Sequence, residues 1–142
     1  MCIRDRYWNT NGWATNTLDA CTTLPNQSNN LAIGNHQGTL TAANYGSSKV
    51  PSAALTLAAG TGTIVLAVPA AGTTGSADIA LNLTATPTDV SCNPTHPATI
   101  SGANLPWLQG NWCGAAGYVR DPGARIKFGS PKAPYIYLRE RY

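Results

Sequence analysis

A chain of 142 residues has room for one domain, or for a domain with a short appendage. Apolar residues at 43% supply a core, but no apolar run approaches the ~18–20 residues that cross a bilayer, which excludes a helical membrane span. Charged residues at 11% fall well below the usual quarter, and the net +3 is weak; with Gly, Ala, Ser, Thr and Asn filling the gap, the balance fits secreted or surface β-proteins of bacteria better than cytosolic enzymes.

The opening MCIRDR has no apolar h-region and is not a secretory signal. It resembles translated sequencing-adapter read-through, so residues 1–6 are read as a non-native leader. On that reading Cys2 stands outside any disulfide count, and residues 7–142 are a fragment of a longer protein. Tyr7-Trp8-Asn9 and Trp13-Ala14-Thr15 flank Thr10-Asn11-Gly12, and an Asn-Gly between aromatic runs signals a β-hairpin. Residues 16–23 read as a turn into a short strand, and Pro25 to Asn30 as polar loop.

Leu31-Ala32-Ile33 and Gly38 to Tyr45 alternate weakly as strands, followed by a loop over 46–51. Ser52 to Leu57 reads as strand, Gly60-Thr61-Gly62 as a strand break, and Thr63 to Val68 as the most apolar strand of the chain. Ser76 to Leu83 alternates cleanly, with Ala77, Ile79, Leu81 and Leu83 inward and Asp78 and Asn82 outward. Thr84 to Ala103 is a long polar connection, Leu105 to Leu108 returns to the core, and Gly110 to Gly117 is loop. Asp121-Pro122-Gly123 is a turn signature. Ala124, Ile126 and Phe128 then alternate with Arg125 and Lys127, and Tyr135 to Arg139 supplies a second arm. No 3.6-period face persists long enough for a helix. The pattern predicts an all-β chain: an antiparallel β-sandwich or Greek-key-like single domain with a terminal β-hairpin.

The positive charge gathers at that end. Arg120, Arg125, Lys127, Lys132, Arg139 and Arg141 face only Asp121 and Glu140. Such a basic end can meet nucleic acid, anionic lipid or acidic glycan, but its alternation with apolar residues fits outward strand positions that discourage edge pairing. The aromatics read as core and hairpin residues, not as a base-stacking platform, so no nucleic-acid partner is expected.

Without Cys2, the cysteines are Cys21, Cys92 and Cys113. A Cys92–Cys113 crosslink would close a loop-rich segment and restrict the unfolded chain by roughly 3 kcal/mol. It leaves Cys21 unpaired; pairing of Cys21 with either of the others is the competing assignment. No CxxC occurs, and His36 and His96 lie far from ligand spacing, so neither metal nor cofactor is expected. No GxSxG elbow and no close acidic pair accompanies those histidines, so no catalytic residue is assigned and the chain is not read as an enzyme. Gly60-Thr61-Gly62 lacks the GK[ST] of a phosphate loop, and the sequons at Asn26 and Asn82 read as chance.

Four stretches together carry a family resemblance: YWNTNGWATNTLDACTTL (Tyr7–Leu24), GSADIALNLTA (Gly75–Ala85), LPWLQGNW (Leu105–Trp112) and the ending DPGARIKFG…YIYLRERY. The set resembles the C-terminal domain of MshQ-type proteins, named for biogenesis of the mannose-sensitive haemagglutinin type IV pilus. The resemblance implies a large exported Gram-negative protein, often with a lectin-like β-sandwich upstream, acting in pilus assembly or surface adhesion. It carries over no catalytic residue. Some relatives hold an Asp-rich loop suited to calcium before the Asp-Pro turn, whereas Gly110 to Arg120 here has no carboxylate. Ile126-Lys127 replaces the usual small residues, and Pro131 and Pro134 alter the following turn.

The expected function is therefore that of a structural or interaction domain of an exported, pilus-associated or surface-adhesion protein, located outside the cytoplasm. Its partners would be pilus or cell-surface proteins and upstream domains of the same chain. Tyr7, Trp8 and Trp13 are the candidate contact residues, set against the expectation that they pack on the domain's own core. The alternative is a carbohydrate-binding module using exposed aromatics. A coplanar exposed Trp pair would favour the sugar, and buried indoles the scaffold.

Overall fold

Leu31 and Ile33 in one segment, and Ala77, Ile79 and Leu81 in another, recur at every second position, which in extended chain puts each set on one side. In the computed structural model, which describes residues 2–92 and 98–129, these two segments pair at the centre of the molecule. The strands are β1 (Cys2–Arg4), β2 (Arg6–Asn9), β3 (Gly12–Thr15), β4 (Thr23–Leu24), β5 (Leu31–Gly38), β6 (Leu55–Thr56), β7 (Thr61–Thr63), β8 (Gly75–Leu81) and β9 (Gly123–Phe128). They form a three-stranded sheet in the order β5-β8-β9 and three ribbons, β1-β7, β2-β3 and β4-β6, all antiparallel. The all-β antiparallel expectation holds for the described residues.

Register explains which side of the sheet is apolar. Leu31 stands opposite Leu81, Ile33 opposite Ile79, and Ala77 opposite Ile126. These residues share one buried cluster with Leu24 of β4 and with Leu40, Tyr45, Val50, Ile64, Leu83 and Leu105 from the connections. Ile3 of β1 and Leu55 of β6 pack against it, so ribbons and connecting segments close the core opposite the sheet. On the other side Asp78 sits across from Gly34 and Arg125. Arg125 donates to it from Nε at 2.6 Å and from Nη2 at 3.0 Å, and Asn35 Nδ2 donates at 2.7 Å. Its hydrogen bonds to Asp78, with the carboxylate's charge, hold the Arg125 guanidinium above its ordinary pKa. Asn35, in the left-handed region at φ 49°, lies where the β5-β8 register shifts.

Several elements differ from the sequence reading for identifiable reasons. Within the expected loop 25–30, Gln27–Asn30 make one helical turn, because Asn26 caps it by accepting from the Asn29 N–H at 3.2 Å. Of the expected strand Gly38 to Tyr45 only Gly38 is strand, as the end of β5; Thr41 and Asn44 exchange side-chain bonds to each other's backbone N–H and form a turn instead. The expected strand over 52–57 shrinks to β6. Of Gly60-Thr61-Gly62, only Gly60 lies in the break; Ala59 (φ 49°) and Gly60 (φ 69°) make a tight turn, and Thr61 begins β7.

The segment 64–68 lies outside the strands, although Ile64 is buried and Val65 and Val68 are exposed. Alternation there records which side faces the core, not a ladder. Asn82, expected outward, is buried at 2% exposure because four bonds satisfy it: Nδ2 donates to Thr86 O and Thr99 Oγ1, and Oδ1 accepts from Thr84 N and Oγ1. Of the terminal hairpin, β9 is the first arm; the second, Tyr135 to Arg139, lies outside the described residues. Cys2 to Arg4, read as part of a non-native leader, occupy a strand position beside β7.

A candidate aromatic cleft

The β2-β3 hairpin places Trp8 directly across from Trp13 and Tyr7 across from Ala14. Its turn is centred on Thr10-Asn11, where Asn9 Oδ1 accepts from the Asn11 N–H at 2.9 Å, and Gly12 opens β3 at φ 139°. The expected Asn-Gly pair is therefore offset by one residue. Tyr7, Trp8 and Trp13 are 52%, 64% and 53% exposed, which overturns the expectation that they pack on the core. The indoles of Trp8 and Trp13 meet edge to face, with centroids 5.7 Å apart and planes 77° to each other. An edge-to-face pair stabilises the hairpin by roughly 0.5–1.5 kcal/mol but offers no flat platform.

A second aromatic group, which the sequence reading placed in core and loop, stands beside the first. Trp107, expected in the core, is 70% exposed, while its neighbours Leu105 and Leu108 turn inward. Pro106–Leu108 form a single 3-10 turn, and a turn of that pitch cannot bury three successive side chains on one side. Beyond it, Gly110 and Arg120 bond each other's backbone, N–H to carbonyl, at 2.9 and 3.0 Å. They pinch the base of a strap that carries Trp112, Cys113 and Tyr118. A Cβ at Gly110 would stand 2.5 Å from Trp112 Cε2, so the indole lies against a bare glycine.

Two further ties hold the strap. Cys92 and Cys113 form a disulfide with Cα atoms 5.9 Å apart, leaving Cys21 free and exposed. Asp121, only 1% exposed, lies just past the pinch. Its Oδ1 accepts from the Leu83 N–H at 3.1 Å and from Gln109 Nε2 at 3.0 Å, and its Oδ2 from the Val90 N–H at 3.4 Å. The Asp-Pro-Gly signature does not form the expected turn: Asp121 bridges to Ser91, and Gly123 already opens β9. The Asp121 carboxylate is the acceptor that joins the end of β8, the polar connection and the strap.

Trp13, Trp107, Trp112 and Tyr118 converge on one cleft of about 700 Å³, floored by Leu31, Ile79, Leu81 and Leu83 and edged by Gln109 and Asn111. Trp8 and Tyr7 are outside its lining. Of the three contact residues expected from the sequence, only Trp13 belongs to it. The signal for the others was the spacing Trp107-x-Gln109-x-Asn111-Trp112, aromatics interleaved with amides in a connecting segment, where binding residues concentrate.

The remaining candidates stay apart. His36 is part-buried on β5, with Nε2 2.6 Å from the Tyr45 carbonyl; His96 lies outside the described residues. Among the described residues no three His, Cys, Asp or Glu side chains gather as a metal set. No helix among them is long and apolar enough to cross a membrane.

A family model described as DUF6701, fourth domain, matches residues 1–141. No curated protein and no solved structure matches the chain.

Proposed function

The chain belongs to the DUF6701 family, as its fourth domain, and from that premise we propose that it is a non-catalytic interaction domain of an exported bacterial surface protein. The observation that carries this reading is the convergence of four exposed aromatic rings, from two separate parts of the chain, on one cleft. Exposed tryptophan is costly in a lone soluble domain, and aromatic anchors set around a recess are the usual centre of a binding surface. The Cys92–Cys113 bond supports an oxidising compartment outside the cytoplasm. A fourth domain also fits a longer chain with other domains before it. The motifs shared with MshQ-type proteins support a role in pilus assembly or adhesion, with a pilus or cell-surface partner.

The test uses the full-length protein in a Gram-negative host. It should reach the cell surface, with a protease-accessible tag beside this domain and Cys92 and Cys113 oxidised. A Trp107→Ala, Trp112→Ala double variant should reach the surface equally well but lose adhesion. Cytoplasmic retention with both thiols free would refute the reading, as would full adhesion by the double variant.

A further inference from the structure

We propose that the cleft is a saccharide site, in which Trp13, Trp107, Trp112 and Tyr118 stack on the apolar faces of a neutral oligosaccharide and Gln109 and Asn111 bond its hydroxyls. This rests on the reading of the cleft as the domain's docking surface and names the chemistry of what docks there.

Three observations favour a sugar over a polypeptide. The first is size. About 700 Å³ falls in the range of small-molecule recesses, and the surface is concave where a folded partner's patch is usually flat. The second is the disposition of the rings. They come from separate parts of the chain, Trp13 from the hairpin and the others from the 3-10 turn and the strap, and all four line one recess, so a ligand filling it meets aromatic rings at several points along its length. A pyranose chain suits this, with C–H faces toward the rings and hydroxyls around its perimeter.

The third is the kind of polar group at the edge. The Asn111 amide holds donors and an acceptor, and Gln109, whose Nε2 is engaged within the protein, offers its Oε1 as an acceptor, so that together they can meet vicinal hydroxyls. Gln109 is fixed in place by its bonds from Nε2 to Asp121 Oδ1 (3.0 Å) and Val119 O (3.5 Å), while Asn111 is exposed. Neither is charged, and the charged residues that also line the recess, Arg4, Asp5 and Arg6, are of both signs. These six contact residues all lie beyond Arg6, although Cys2 to Arg6 also line part of the recess. It also moves the sugar reading from the Trp8–Trp13 pair, whose perpendicular planes form no flat platform, to Trp13 together with three rings from another part of the chain.

The experiment is a titration of the oxidised 142-residue chain with tetrasaccharides of glucose, mannose, galactose and N-acetylglucosamine, read by tryptophan emission and calorimetry. At least one should give saturable binding. Trp107→Ala and Tyr118→Ala should each weaken it tenfold or more, and Trp8→Ala should leave it within twofold. Trp107 and Tyr118 are both surface side chains, and an unchanged circular dichroism melt verifies that each variant is folded. Binding lost only in Trp8→Ala, or binding only of an acidic polymer such as polygalacturonate, overturns the proposal. So does silence across the panel; if the cleft double variant still abolishes adhesion of the full-length protein, that silence removes the sugar and leaves the interaction reading standing. Silence together with unaffected adhesion removes both.

Discussion

Asp121 and Asp19 are buried carboxylates in a chain with few charges, and both act through backbone donors. At Asp121, the N–H groups of Leu83 and Val90 and the Gln109 amide lose their acceptor if the side chain is truncated. Asp121→Ala should therefore cost about 3 kcal/mol in denaturant unfolding, and Asp121→Asn less, since one acceptor survives. Equal stability of Asp121→Ala and the parent would show that the carboxylate is not the joint described. At Asp19 the Thr22 N–H, at 2.9 Å from Oδ1, is the main cause that holds the carboxyl below its ordinary 3.8, with the Cys21 N–H helping. A depressed native value means that the unfolded chain binds the proton first. The stabilisation is present above pH 3.8 and is lost as the pH falls through the depressed value. Asp19→Asn should flatten the acid limb of a stability–pH series below that point, and an unchanged limb would contradict it.

The strap between Gly110 and Arg120 is the element on which the cleft depends, and it has no regular secondary structure of its own beyond one 3-10 turn. The backbone pinch, the disulfide and the Asp121 joint substitute for a ladder. Reducing the Cys92–Cys113 bond should lower stability by roughly 3 kcal/mol. It should also shift tryptophan emission, because Trp112 adjoins Cys113. Gly110→Ala tests the strap without touching its ties: the new methyl meets the Trp112 ring, so the indole must move. The expected outcome is a changed emission spectrum with a melting temperature lowered by a few degrees; an identical spectrum would mean that the ring does not rest on this glycine.

The same contrast explains what the sequence could and could not reveal at this scale. β8 and β9 were legible because a sheet with one buried side imposes period-2 alternation, as Ala77, Ile79, Leu81 and Ile126 record. The strap was not, since its shape comes from three ties between residues far apart in sequence. Ile64 to Val68 shows the converse failure, a clean apolar pattern where no ladder forms.

For the molecule as a whole, the distribution of apolar surface separates holding the fold together from meeting a partner. The inward side of the β5-β8-β9 sheet, with Tyr45 and Ile64 at 0% exposure, forms the core. Trp107, Trp112, Tyr118 and Trp13 sit at the mouth of a recess that opens onto part of that same core. The disulfide choice was readable from spacing and the all-β class from alternation, but the joining of Trp13 to Trp107 could not be read, because the two are 94 positions apart. The most direct measurement of the central claim is an NMR titration of the four indole N–H signals of the oxidised chain with the best-binding tetrasaccharide. Trp13, Trp107 and Trp112 should shift together and saturate at one concentration while Trp8 stays still. Shifts confined to Trp8, or no shift in the other three, would contradict it.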